Sequence, residues 1–320
     1  MPRPPMQSVT VGTRFSITQV GDFASRCLQP GQQGSVLASF SSAVYLVTED
    51  GGLFWLAGDV TPMHRRATLI NGPLSKPAKG AEFVVVGDQL RIDSMTIVGV
   101  TEPTLWQAPA INPIDRPNPD LLTKRIHSFI ARLNLSGAKG FGVLIPSIQS
   151  LFRQGSPDPR LESADPVLQY ASKFIQGLSV AYRQGNATQI SQNTKPLIGL
   201  GFGLTPSGDD FLGGLLFAIH SLKAAYPHSD FSDLDIPLEP YCSRTNLISF
   251  SILDDLARGH GPEPLHQLIN GLLSAEPPKT MDLFASQLTL IGASTGWDLL
   301  AGFLTGMLLI CRRQHSPILA

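Results

Sequence analysis

Ser207-Gly208-Asp209-Asp210-Phe211-Leu212-Gly213-Gly214-Leu215-Leu216 is answered later in the chain by Thr295-Gly296-Trp297-Asp298-Leu299-Leu300-Ala301-Gly302-Phe303-Leu304. The register is constant: 207 matches 295, 210 matches 298 and 214 matches 302. Each copy sets a hydroxyl and a glycine ahead of an aspartate, and an apolar, glycine-bearing run follows. This is how a helix starts when its first turn must approach something closely. Two such starts predict one site built from two helix ends. Small residues recur four apart beyond each start, at Gly214 and Ala218 and at Gly302 and Gly306. Small faces let helices approach, so the two helices are expected to cross with their N-termini adjacent.

The helical pattern reaches back to about residue 120. Apolar residues at 121, 122, 126, 129, 130 and 133 form one face of a helix over Asp120–Leu135, and Ser163 or Asp165 with Pro166 starts another, to Arg183. Further helices are expected near 206–225, 245–259, 263–274, 280–291 and 296–313. Residues 1–108 read differently. Short runs rich in Val, Ile, Phe and Tyr (35–40, 43–47, 53–56, 82–86, 89–92, 96–100) are separated by turn residues such as Glu49-Asp50-Gly51-Gly52 and Gly87-Asp88. The expected fold is α+β: an N-terminal β-rich barrel or sandwich domain (1–108), a Pro-rich linker (109–119) and a mainly α-helical domain (120–320).

Composition limits the function. Charged residues are 15% of the 320-residue chain and hydrophobic ones 42%, against roughly 25% charged in a typical soluble domain. That implies a large core, a subunit interface, or both. A net charge of −1 gives no electrostatic case for nucleic acid. Cys27, Cys242 and Cys311 lie far apart and fit free thiols in a reducing cytoplasm. The longest apolar run, 299–311, is short of the roughly 20 residues that span a bilayer, so the expectation is a cytoplasmic protein with no membrane segment.

The chemistry-bearing stretch is Gly199-Leu-Gly-Phe-Gly-Leu-Thr-Pro-Ser-Gly-Asp-Asp-Phe-Leu212. Its alternating glycines permit positive φ and close backbone approach. Thr205 is a candidate N-cap with Pro206 at N1, and Ser207 with Asp210, like Thr295 with Asp298, has capping-box spacing. Exposed N–H groups at such a start favour an anion by about 0.3–1 kcal/mol per charge. No lysine follows the glycines, so it is not a P-loop, and no βαβ unit surrounds it. First-turn carboxylates repel a bare phosphate. Two arrangements resolve this: Asp209, Asp210 and Asp298 hold Mg²⁺ that bridges to the anion, or they accept hydrogen bonds from ligand N–H groups. A ureide or carbamoyl compound offers such a mixture of donors and acceptors.

The candidate catalytic residues, also the candidate Mg²⁺ ligands, are therefore Asp209, Asp210 and Asp298; no other cofactor is expected. The candidate substrate-binding residues are Gly201, Gly203, Thr205, Ser207, Gly208, Thr245, Asn246, Ser249, Ser294, Thr295 and Gly296. Arg244 is a further candidate partner for a carboxylate or phosphate, and the loop 136–142 carrying Lys139 a minor one. A plain capping role for each of these hydroxyls stands beside the functional reading.

The stretch 199–212, with Thr245-x-x-x-Ser249 and Ser294-Thr-Gly-Trp-Asp298 followed by Leu300-Ala-Gly302, resembles the oxamate carbamoyltransferase AllH-subunit-like family. The resemblance covers mainly residues 195–306, and Phe202 stands where that pattern has proline. It implies a role in purine-ureide (allantoin) catabolism, in an oligomeric assembly with other protein subunits that converts oxalurate and phosphate to oxamate and carbamoyl phosphate. The alternative is a non-catalytic subunit that binds a ureide or nucleotide and regulates or assembles partner enzymes. A Mg²⁺-dependent phosphotransferase is a third, with no nucleotide motif behind it.

Overall fold

The computed structural model describes residues 14–111, 116–148, 165–227 and 236–313. Part of the Pro-rich linker (112–115) and Ser163 lie outside the described residues. The chain divides into two compact units, 1–107 and 108–320.

The first unit is a β-barrel. Its elements are β1 (Arg14–Gly21), α1 (Asp22–Cys27), β2 (Gln33–Ser39), β3 (Ala43–Thr48), β4 (Leu53–Gly58), β5 (Ala67–Ile70), β6 (Glu82–Val86), β7 (Gln89–Ile92), β8 (Met95–Val98) and β9 (Leu105–Trp106). The order β5-β4-β3-β2-β6-β7-β8-β1 closes on itself because β1 also pairs with β5, so no edge is left in that ring. β1 does this by changing partners. Arg14, Phe15 and Ser16 pair in parallel with β8, and Ile17, Gln19 and Val20 pair antiparallel with β5. A bulge between Ile17 and Gln19 lets it curve. Phe15, Val36, Leu46, Phe54, Phe83, Leu90 and Ile97 fill the interior. The sequence anticipated the strands β2, β3, β4, β6, β7 and β8. It missed β1, β5 and β9, and also α1, a short helix inside a domain read as having none.

The second unit is helical: α2 (Pro119–Arg132), α3 (Pro166–Gln184), α4 (Ala187–Thr194), α5 (Ser207–Ala225), α6 (Leu247–Ala257), α7 (Glu263–Leu273), α8 (Met281–Thr289) and α9 (Thr295–Arg313), with 3₁₀ turns at Gly140–Ser147 and Glu239–Arg244. Asn118 and Asp165 cap α2 and α3 with their side chains, each followed by proline. α5 is apolar on nearly every side, with Phe211, Leu212, Leu215, Phe217 and Ala218 all at or below 1% exposure. A helix hydrophobic all round belongs in the middle. α9 is its counterpart, and the other helices pack around the pair. No described helix is long and apolar enough to cross a membrane.

α5 and α9 cross backbone to backbone. A Cβ on Gly214 would lie 2.1 Å from the Leu299 carbonyl oxygen and 2.8 Å from the Phe303 nitrogen. A Cβ on Gly302 would lie 1.8 Å from the Phe211 oxygen and 3.0 Å from the Leu215 nitrogen. In the register of the sequence repeat, 211 answers 299 and 215 answers 303. Each glycine thus admits the equivalent stretch of the other helix, as across a local two-fold axis. The repeat of the sequence is a repeat of the contact.

Candidate functional site

The crossing brings the starts of α5 and α9 together. The hydroxyls of Thr205 and Thr295 hydrogen-bond at 2.9 Å. Ahead of α5, Gly199, Gly201 and Gly203 have φ of 76°, 116° and 104°, which makes the loop dependent on glycine there. A Cβ at Gly199 would also strike the Arg244 carbonyl oxygen at 2.1 Å. Arg244 itself is exposed, and its backbone packs on this loop.

Three aspartates lie beneath. Asp209 is 1% exposed and accepts from Gly199 N (2.7 Å), Ser249 Oγ (2.6 Å) and Thr245 Oγ1. Burial raises its pKa, against those three donors. Thr245 and Ser249 thus serve Asp209. Asp210, 2% exposed, is pushed well above the usual carboxylate range by burial first and then by the charge of Asp298, while the hydroxyls of Thr205 and Thr295 favour its charged form. Asp298 is fully buried and accepts from Phe141 N at 2.5 Å. Burial lifts its pKa to about 6, against that N–H and the hydroxyls of Ser207 and Ser294.

The cross-helix arrangement is reciprocal. Asp210 on α5 faces the hydroxyl of Thr295, the first residue of α9, and Asp298 on α9 faces that of Ser207, the first residue of α5. The Oδ2 atoms of Asp210 and Asp298 are buried without a hydrogen-bond partner. An unmade hydrogen bond of this kind costs about 1–3 kcal/mol.

Several expectations are corrected. No side chain caps α5: its N-cap is Pro206, and Thr205 turns to Thr295 instead. The aspartates of the two capping-box patterns are buried in the crossing and held as just described. Most early N–H groups of α5 are also taken, Gly208 N by the Leu200 carbonyl and Asp209 and Asp210 N by that of Pro206. The anion cradle expected there is largely used up. Gly208 and Gly296 are packing glycines, where a Cβ would strike the carbonyl oxygens of Leu197 (2.0 Å) and Leu288 (1.8 Å). Asn246 caps α6, accepting from Ile248 and Ser249 N, and its amide ties down the Leu204 carbonyl at 2.7 Å.

Among the described residues, no three His, Cys, Asp or Glu side chains form a group able to hold a metal ion. Asp209 shows why: its oxygens already have three donors. The carboxyl groups are also closed to solvent; the exposed parts are the loop residues Phe202 (90%) and Gly203 above them.

Sequence reasoning undervalued the loop 136–142. It delivers Phe141 N to Asp298, and only a glycine fits at 140, where φ is 51° and a Cβ would lie 2.3 Å from Asp298 Oδ1. Gly142 likewise admits Trp297, 2.8 Å from a Cβ there. Alternating glycines were the available signal, since a backbone donor has no residue type of its own.

No curated protein and no solved structure matches this chain. Residues 197–307 span the glycine loop, all three aspartates, α6 and both helix starts. They match the family model described as oxamate carbamoyltransferase subunit AllH.

Proposed function

We propose that the chain is a subunit of a carbamoyltransferase acting on a ureide, and that the paired helix starts are its carbamoyl site. One observation carries this: Asp210 and Asp298 meet at the crossing with one buried, unpartnered oxygen each. A carbamoyl NH₂ has two donors to give, and the hydroxyls of Thr205, Ser207, Ser294 and Thr295 lie beside the same carboxyl groups. The family description supports the reaction class and the word subunit supports protein partners. The oxalurate–phosphate reaction of purine-ureide breakdown, in the cytoplasm, is the specific form proposed.

In that reaction a phosphate oxygen attacks the carbamoyl carbon of oxalurate, and the bond from that carbon to the amide nitrogen breaks. Carbamoyl phosphate and oxamate result. The proton that phosphate gives up is the one the leaving nitrogen needs, so an acid and a base suffice. Asp210, kept protonated by burial and by its neighbour's charge, is the acid; Asp298, with a pKa near 6, is the base. The hydroxyls would donate to the tetrahedral oxyanion. Ligand entry requires the loop 199–205 or the turn at Gly140 to withdraw, because the carboxyl groups are buried.

That same burial favours one second reading, a ureide-binding subunit that assembles partner enzymes without turning substrate over. The test is thermal stability with carbamoyl phosphate, oxalurate, oxamate and phosphate, beside a phosphate-dependent turnover assay with and without partner subunits. A ligand at 100 times its Kd adds about 2.7 kcal/mol. A response to carbamoyl phosphate or oxalurate that Asp298→Asn abolishes supports the site. Response without turnover in any assembly selects the second reading, and no response removes both.

A further inference from the structure

A cavity lies away from the paired helix starts, between α2, α7 and α8. The cavity is about 440 Å³, within the range of roughly 300–1,000 Å³ that small-molecule sites occupy. Its floor is apolar: Phe129, Leu272 and Met281 are each at most 2% exposed. Its mouth carries three cations, Arg125, Arg132 and Lys279, against one carboxylate, Asp282.

The cations differ in role. Arg125 is fixed at the end of α7, its guanidinium donating to the carbonyls of Leu272 (3.1 Å), Ser274 (2.5 Å) and Ala275 (2.5 Å). Those carbonyls would otherwise present the negative end of α7 to the cavity. With Arg125 over them, the mouth keeps a positive potential. Among the described residues Arg132 and Lys279 have no ion-pair partner, so both are available to an incoming anion. The wall is shaped by a glycine: a Cβ on Gly271 would lie 2.3 Å from Met281 Sδ and 3.3 Å from Pro278 Cδ. Its absence lets that wall fold down beside the floor.

We propose that this cavity binds a small organic anion, apolar in its body and carrying one carboxylate or phosphate held by Arg132 and Lys279. An apolar floor with a cationic mouth takes both parts of such a molecule, and neither part alone should suffice. The site shares no residue with the paired helix starts, so it does not depend on the carbamoyl reading.

The experiment is isothermal titration of the full chain with phenyl phosphate, benzoate, phenol and inorganic phosphate. Phenyl phosphate or benzoate should saturate one site, with phenol and inorganic phosphate at least tenfold weaker; whichever aromatic anion binds tighter identifies the head group. The double variant Arg132→Gln/Lys279→Gln, whose positions are exposed, should weaken that binding at least tenfold, whereas Asp298→Asn leaves it unchanged. Failure of both aromatic anions to bind, or equal binding to the double variant, overturns the proposal. Loss with Asp298→Asn alone also overturns it, by moving the anion to the other site.

Discussion

Gly214 and Gly302 occupy equivalent positions in two helices, and each leaves space for the backbone that surrounds the other's equivalent contact. Neither has room for a methyl group, and the obstacle in both cases is a main-chain carbonyl, which cannot rotate away as a side chain would. Gly214→Ala and Gly302→Ala should each cost about 1–3 kcal/mol through overpacking, read as a lower midpoint in urea with an unchanged slope. Gly137→Ala, where an added Cβ meets nothing within 4 Å, is the control and should move the midpoint little.

The pH dependence of stability has a definite sign. Asp298 binds its proton more tightly in the fold, with a pKa of about 6 against an ordinary 3.8. Its favourable contribution is therefore complete below about pH 4 and is lost as pH rises to about 6, by roughly 3 kcal/mol at 1.36 kcal/mol per unit. Asp210, raised in the same direction, adds to the trend. Asp298→Asn keeps an oxygen for Phe141 N and removes the titration. Melting curves from pH 4 to 7 should fall for the native chain and fall less steeply for the variant, which keeps the raised Asp210 and is the more stable of the two at pH 7. A native curve that rises over this range would sink the assignment.

Asp209 depends on its donors. Ser249→Ala removes one of three hydrogen bonds to a buried carboxyl and should cost about 1–3 kcal/mol. Ser286→Ala, which loses only a bond to its own helix on an exposed face, should stay within about 0.5 kcal/mol. A double-mutant cycle of Ser249→Ala with Asp209→Asn should show coupling, because the two groups touch.

The ligand contacts are tested by Thr295→Val, which keeps the shape and deletes the hydroxyl. Carbamoyl phosphate affinity should fall about tenfold, or 1.4 kcal/mol, beside a stability cost of about 1–3 kcal/mol for the lost bonds to Thr205 and the buried Asp210 carboxyl. Equal affinity would take Thr295 out of the site.

What the sequence made legible follows from periodicity and length. β6 alternates exposed and buried positions along Glu82–Val86, and such strands announce themselves. β1 does not, because its bulge after Ile17 shifts the phase of the alternation midway. β5 is four residues, all buried, with no alternation to read. α4, Ala-Thr-Gln-Ile-Ser-Gln-Asn-Thr, buries only Ile190 and Thr194 and so shows no apolar stripe. At the site, the hydroxyls and carboxyls were visible as residue types. Their partners were not: that Asp209 would be saturated by Ser249 and Thr245, or that a main-chain N–H from residue 141 would reach Asp298, depends on elements far apart in the chain. Proximity in the fold decided which aspartates keep a free oxygen.

The glycine crossing also fixes where this molecule can yield. Two helices whose main chains rest on each other have no side-chain cushion between them, so sliding or rocking one against the other would meet carbonyl oxygens at once. Compliance must then reside in the connecting turns, and the positive-φ glycines at 199, 201, 203 and 140 put it at the doors of the carboxyl pair. The rigid part of the site keeps its carboxyl pair in register, and the soft part is confined to the turns that cover it.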